Sequence, residues 1–485
     1  MTLAQKVALN SGAQALRQAY VAVIGIVSVA IASRYLPIEE YGQILAAVAV
    51  VTVFAVAGDL GITATTARMI AQDPDQRTTL ISSAFWTWIG TCLTSSAVVL
   101  LITALSYPGS DEALTRQAVV IILVCSTVLT PFFGLANVTA IVEQRVWLLA
   151  IGTTTARTLS LGVTILAVAL DWGPIGIAWG VGLGFLLDAL FGVALVRPHL
   201  PLRWPDWSPI RLLLAGAIPL GAVMIVDGLY FRLDAYLLSV LSSSAEVAIY
   251  GIGYRAFEAL AMLPSFVMVT LLPVLAAYKP DDPHFSALVQ KAFTTMCVLA
   301  APLAGFAVLG GEAMTLLGGS QYSEGGLVLG FILASVAVGC LNGVFGNTLV
   351  AQGRPGVLLK VSILNLGVNG VANVIAIPLW GAKGAGAALL VSEISSLLCT
   401  MFVYRKVAPL PRVEHLPALL TAVALMVLAM SARFLLPESD LLRVAVAGVA
   451  GISVYLGTLV LLKALPPYIT EPVSAGLGRL RRQPA

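Results

Sequence analysis

Apolar stretches of about 20 residues recur along nearly the whole of this 485-residue chain, and a bilayer core of about 30 Å needs a stretch of that length for each helical crossing. With 59% hydrophobic and only 11% charged residues, the chain lacks the polar surface of a water-soluble globule. The ten-residue alternation of a membrane barrel is missing, so helices are the only element left that satisfies its own backbone in lipid. The sequence therefore predicts an all-α polytopic membrane protein.

Fourteen crossings are expected, at 14–36, 41–61, 80–105, 117–141, 146–170, 174–196, 210–240, 245–277, 288–310, 327–351, 357–379, 383–404, 416–436 and 441–463. The start, with Lys6 and Arg17 before an apolar run and "AIAS" at 30–33, imitates a signal peptide, but a polytopic chain follows and it reads as the first membrane helix. With the N-terminus in the cytoplasm, 19 of the 27 Lys and Arg residues fall on the cytoplasmic side, as the positive-inside rule requires. Both termini are then cytoplasmic. Loops are short, and His199, His284 and His415 all lie in cytoplasmic ones. No catalytic residue is expected, and a membrane enzyme such as a glycan polymerase would need a larger outer loop. Cys92, Cys125, Cys297, Cys340 and Cys399 sit inside apolar segments without paired spacing, so neither disulfides nor a metal site is expected. No basic stripe suits nucleic acid.

Several markers recur about 208 residues apart. Tyr41-Gly42 matches Tyr250-Gly251, Arg145 matches Arg354, Trp172 matches Trp380 and Arg197 matches Arg405. A repeat of six helices makes the two copies parallel, related by an axis along the membrane normal. The expected organisation is an N-terminal lobe (1–200), a C-terminal lobe (201–409), two additional helices (410–465) and a cytoplasmic tail (466–485).

Charges inside the spans single out the candidate site. At 1.5 Å of rise per residue, Arg157 and Arg255 lie roughly 15 Å from the ends of their helices, near the bilayer midplane. A charge there costs about 2.5–3.5 kcal/mol. One reading pairs Arg255 with Glu258, its i, i+3 neighbour. The other has Arg17, Arg157 and Arg255 face a water-filled cavity and bind an anion, phosphate above all. Asp188, Glu258, Glu393 and Asp227 offer sites for a coupled proton or cation, or partners for the arginines. Tyr254 and Tyr250 are candidate cavity aromatics; interfacial placement explains Tyr250 equally well. Arg232 and Asp234 read as snorkelling residues near the outer interface, and Asp59 as a helix-end acid. No cofactor is expected, beyond coupling to a proton or sodium gradient.

The segments "SRYLPIEEYGQILAAVAVVTVFAVAGDLGITATTARMIAQ" (33–72), "YFRLDAYLLSVLSSSAEVAIYGIGYRAFEALAMLPSFVMVTLLPVLAA" (230–277) and "NLGVNGVANVIAIPLWGAKGAGAALLVSE" (365–393) resemble the polysaccharide transporter family of Wzx-like flippases. The resemblance implies a carrier of undecaprenyl-diphosphate-linked oligosaccharide across a bacterial inner membrane by alternating access. It implies membrane lipids, a polysaccharide polymerase and chain-length machinery as partners. Lipid II flippases of the same superfamily are similar at two places: Arg17 in "NSGAQALRQAY" corresponds to a cavity arginine of their first helix, and Arg255 with Glu258 to an Arg and Glu of their eighth. A further cavity arginine of their second helix has no match in "VFAVAGDLG". A lipid II flippase and a cation-coupled multidrug antiporter are the alternatives within the superfamily.

Overall fold

Helices account for the fold from end to end, and the residues that interrupt them decide where the chain bends. The computed structural model describes residues 3–198, 204, 206–437 and 439–465; the expected tail, 466–485, lies outside them, as do His199 and Arg203 of the loop expected to be cytoplasmic. The helices in chain order are α1 Leu3–Tyr35, α2 Ile38–Asp59, α3 Ile62–Gln72, α4 Arg77–Ser106, α5 Ala113–Thr127, α6 Thr130–Val142, α7 Val146–Ala169 and α8 Gly173–Val196. They continue with α9 Trp207–Leu241, α10 Ser244–Leu260, α11 Leu263–Ala277, α12 Pro283–Gly305, α13 Gly310–Gly318, α14 Gly326–Ala351, α15 Pro355–Tyr404 and α16 Leu416–Ser431. A last helix covers Asp440–Leu461, with one wide turn at Arg443–Ala447. Among the described residues there is no strand.

Helix underlies every expected segment, but only ten described helices are long and apolar enough to cross a membrane, or eleven if the bent pair Ser110–Thr127 and Thr130–Val142 is one span. Segments 357–379 and 383–404 are the two halves of α15, which is broken between them at the non-helical Gly381 (φ 55°, ψ −130°), a conformation only glycine adopts readily. Segment 245–277 divides into α10 and α11. Segment 41–61 is α2, which ends at the left-handed residues Leu60 (φ 45°) and Gly61 (φ 73°).

Two helix ends 209 residues apart share one local geometry. Helix α6 closes with Gln144 at φ 55°, and α14 closes with Gly353 at φ 69°. Arg145 N–H bonds Ala140 O and Gln144 N–H bonds Ile141 O; Arg354 N–H bonds Leu349 O and Gly353 N–H bonds Val350 O. Both ends are the same left-handed helix stop, which satisfies two terminal carbonyls. Each then opens a new helix from its arginine.

Two compact units divide the chain: Met1–Arg255 with Asn373–Ala385, and Ala256–Ala372 with Gly386–Ala485. In the first, Ile62, Leu80, Trp88, Leu135 and Leu213 are buried together. The Trp88 indole donates to Asp59 Oδ1 (3.0 Å), which also accepts from Thr63 N and Oγ1; the acid closes the α2–α3 break. In the second unit, Met426, Met430 and Tyr455 bury the terminal helix pair. Tyr455 donates to Val298 O (2.8 Å), and Arg433 pairs with Glu312 (2.5 Å).

Two predictions follow from contacts in the first unit. A Cβ at Gly42 of α2 would lie 1.8 Å from Ser244 O of α10, so Gly42→Val lowers stability by about 3 kcal/mol or more, read as thermal unfolding in detergent. Glu143, beside the α6–α7 turn, accepts from Arg77 (2.8 Å) and lies 3.4 Å from Arg145. The hydrogen bond from Arg77 holds its carboxyl below the usual carboxylate range. Stability from this pair is therefore present above the unfolded-state pKa and lost as pH falls through the folded one. Both partners are partly exposed, which limits the pair to under about 1 kcal/mol. Arg77→Gln removes that segment of the pH–stability curve and leaves the neutral-pH fold intact.

Candidate functional site

Helices α1, α7 and α8 build the site by fixing their mutual register. Helix α1 is tied to the ends of α7: Asn10 donates to Gln144 O (3.2 Å) and accepts from Trp147 N (3.1 Å). Near its other end, Tyr35 OH donates to Asp171 Oδ1 (2.6 Å) and accepts from Gly173 N (3.0 Å). Between these ties, Tyr20 OH and Thr158 Oγ1 lie 2.7 Å apart. Arg17 stands one turn before Tyr20, and Arg157 directly before Thr158. The register of α1 thus decides where Arg17 meets α7.

Helix α8 approaches α7 through small residues every fourth position: Gly176, Gly180, Gly184 and Gly192. Added Cβ atoms would lie 3.0 Å from Ala167, 2.6 Å from Thr164 Oγ1, 2.8 Å from Ser160 Oγ and 2.8 Å from Phe133 in that order. Such spacing lets helix backbones close up in a membrane. Asp188 occupies the one position of this series that glycine does not. It accepts from Thr153 Oγ1 of α7 (2.8 Å).

Arg157 lies in the same seam. Its guanidinium covers the Phe185 ring at 5.0 Å, and its Nη1 is 3.2 Å from where a Gly184 Cβ would be. It is within electrostatic reach of Asp188, Arg255 and Arg17. Arg17 is half-buried and donates from Nε to Gln14 Oε1 (2.7 Å). The Arg157 Nε is buried and has no hydrogen-bond acceptor. A half-buried guanidinium with a buried, unused donor, within electrostatic reach of two further cations, is an arrangement that an oxyanion satisfies.

The first unit thus brings together Arg17, Arg157, Arg255 and Asp188. Arg255 is half-buried on α10 and within electrostatic reach of Tyr41. Glu258 is half-buried on the same helix, and Asp227 is exposed on α9. Glu393 belongs to the second unit, 7% exposed, with Oε2 3.3 Å from where a Gly339 Cβ of α14 would be. Tyr250 and Tyr254 are buried, their rings 5.6 Å apart. Tyr250 OH donates to Asp234 Oδ2 (2.8 Å) and Tyr254 OH to Phe231 O (2.5 Å), so both hydroxyls serve the packing of α10 on α9.

Asp234 corrects its sequence reading. It is no snorkelling interfacial acid, being 1% exposed and bonded by Tyr250 and by Asn373 Nδ2 (3.0 Å). The neighbouring Arg232 packs over the Tyr254 ring at 5.9 Å. Asn365, Asn369 and Asn373 in "NLGVNGVAN", a buried stripe at i, i+4 and i+8, carried the signal for this network. The glycine period of α8 likewise carried the signal for the seam around Asp188.

Gly184→Val drives a side chain into Ser160 and Arg157 and lowers stability by about 1–3 kcal/mol. Gly162→Val on α7, where a Cβ meets nothing within 4 Å, leaves stability within about 0.5 kcal/mol of wild type. Thermal unfolding of the two variants side by side checks the seam.

Residues 7–279 match the family model described as polysaccharide biosynthesis protein. A protein named probable flippase AglR, from Haloferax volcanii, is 27% identical over 38% of this chain and 40% of its own length. The capsular polysaccharide biosynthesis protein CapF of Staphylococcus aureus is 25% identical over 36% of this chain and 42% of its own. The chain therefore aligns with less than half the length of these curated relatives. Among solved structures, the lipid II flippase MurJ in an inward closed conformation has a similar fold, with TM-score 0.76 at 12% identity over 94% of this chain and 98% of that one. An inward-facing multidrug resistance MATE family transporter matches at TM-score 0.60 and 12% identity over 80% of this chain and 94% of its own.

Proposed function

The chain belongs to the polysaccharide biosynthesis protein family, and from that membership together with the arginine cluster we propose that it is a flippase for a lipid-linked oligosaccharide. The headgroup is the diphosphate that joins lipid to sugar, undecaprenyl diphosphate in a bacterial inner membrane. One observation carries the reading: Arg157, in the middle of a membrane helix, keeps a buried donor without an acceptor while Arg17 and Arg255 stand within electrostatic reach. A cation-transporting site would favour carboxylates over guanidiniums. Here Arg17 and Arg255 stand within electrostatic reach of Arg157, whose acid is Asp188. The flippase name of a curated relative supports the same class of transporter.

In this reading the chain crosses the membrane fourteen times, with both termini in the cytoplasm and two six-helix lobes followed by a terminal helix pair. The arginines bind the diphosphate from the cytoplasmic side, rocking of the lobes exposes it to the other side, and the lipid tail stays in the bilayer. The protein supplies binding and orientation and no bond is broken, so it works as a transporter. Asp188, Glu258, Glu393 and Asp227 are the acids available for coupling to a proton or sodium gradient.

Reconstituted in vesicles with a fluorescent lipid-diphosphate oligosaccharide, Arg157→Gln and Arg255→Gln each reduce the flipping rate about tenfold or more. That loss corresponds to one charge-assisted bond of about 1.5–3 kcal/mol. Membrane insertion, followed by cell fractionation, stays normal. Wild-type rates in both variants, or thermal stabilisation by cationic dyes in place of lipid diphosphate, would contradict the proposal.

A further inference from the structure

The α7–α8 seam separates two things that usually come together around an arginine: charge compensation and hydrogen bonding. Asp188 is the acid within electrostatic reach of both Arg157 and Arg17. Its Oδ1 is bonded to Thr153, one turn before Arg157 on α7. Meanwhile Arg157 Nε has no acceptor, its guanidinium lying over Phe185 with Nη1 against the Gly184 position. The other elements packed on α8 bring Cys125 of α5 against Gly182 and Phe133 of α6 against Gly192, and α2 carries no ionisable side chain between Tyr41 and Asp59.

We propose that Asp188 is a resident counter-ion of the empty site, held by Thr153 off the guanidinium donors so that it balances charge without occupying them. Three like charges gathered in a low-dielectric seam repel one another. A fixed carboxylate lowers that cost while the site has no cargo. An arriving diphosphate finds the donors open, and then shares the cluster with Asp188, whose negative charge opposes it. Asp188 thereby weakens the loaded state relative to the empty one and speeds release of the cargo. Thr153 is the positioning residue: without its hydroxyl, Asp188 turns onto Arg157 and closes the site.

This inference rests on the anion-site reading above, and its test separates the two. The probe is a short-chain prenyl diphosphate sugar, in which each phosphate carries one ester and one anhydride link and keeps one ionised oxygen, titrated calorimetrically against the full chain in nanodiscs. Asp188→Asn, which removes the charge and keeps the shape, binds the probe about tenfold more tightly than wild type, because one like charge within electrostatic reach is gone. Thr153→Val binds it about threefold or more weakly, whereas Thr153→Ser, which keeps the hydroxyl, matches wild type. The double variant Asp188→Asn, Thr153→Val binds as tightly as Asp188→Asn alone, since Thr153 acts only through the acid. Unchanged or weaker binding by Asp188→Asn, or a Thr153→Val loss that persists in the double variant, overturns the counter-ion role while leaving the anion site standing. Binding that Arg157→Gln does not weaken overturns the anion site itself, and the counter-ion with it.

Discussion

A guanidinium in the middle of a membrane helix is stable only where protein surrounds it, and the close contact of α7 with α8 supplies that surrounding for Arg157. Hydrocarbon offers neither hydrogen bonds nor counter-charge. Glycines at every fourth position of α8 let the two backbones approach closely enough for Phe185 to lie under the guanidinium and Thr153 to hold Asp188. The ties of α1 at Asn10, Tyr20 and Tyr35 then set Arg17 against the same seam. Each step depends on the one before it.

The second unit handles buried polarity differently. Besides the Arg433–Glu312 pair and Glu393 it buries neutral pairs: Asn369 donates to Ser392 (3.2 Å) and Asn342 to Ser396 (2.9 Å). Neutral pairs cost less to bury than charges and still fix the register of one helix on the next. The two units share a helix stop at Gln144 and Gly353. The cluster proposed to meet the cargo is confined to the first unit, which also holds most of the stretch matched by the family model.

Much of this was legible in the sequence because apolar runs and midplane charges are local signals. The helical class, the positions of the helices and the three arginines could be read without knowing what packs on what. The break at Gly381, between the expected segments 357–379 and 383–404, was legible too; the division between α10 and α11 was not, since a proline in an apolar run marks a bend only once its neighbours are placed. Asp234 was misread for a related reason. Its depth along α9 resembles that of an interfacial residue, and only the contacts from Tyr250 and Asn373, 16 and 139 positions away, make it a buried one. Asp188 was visible as an intramembrane acid, but its partner lay 35 residues away on another helix, outside the reach of any spacing rule along one helix.

The central claim is that the arginine cluster of the first unit receives a diphosphate. A structure determined with a lipid diphosphate bound tests it most directly. The account predicts phosphate oxygens within hydrogen-bond distance of Arg157 Nε, with Asp188 still held by Thr153. A headgroup bound elsewhere, with Arg157 Nε covered by a side chain of the protein itself, would contradict it.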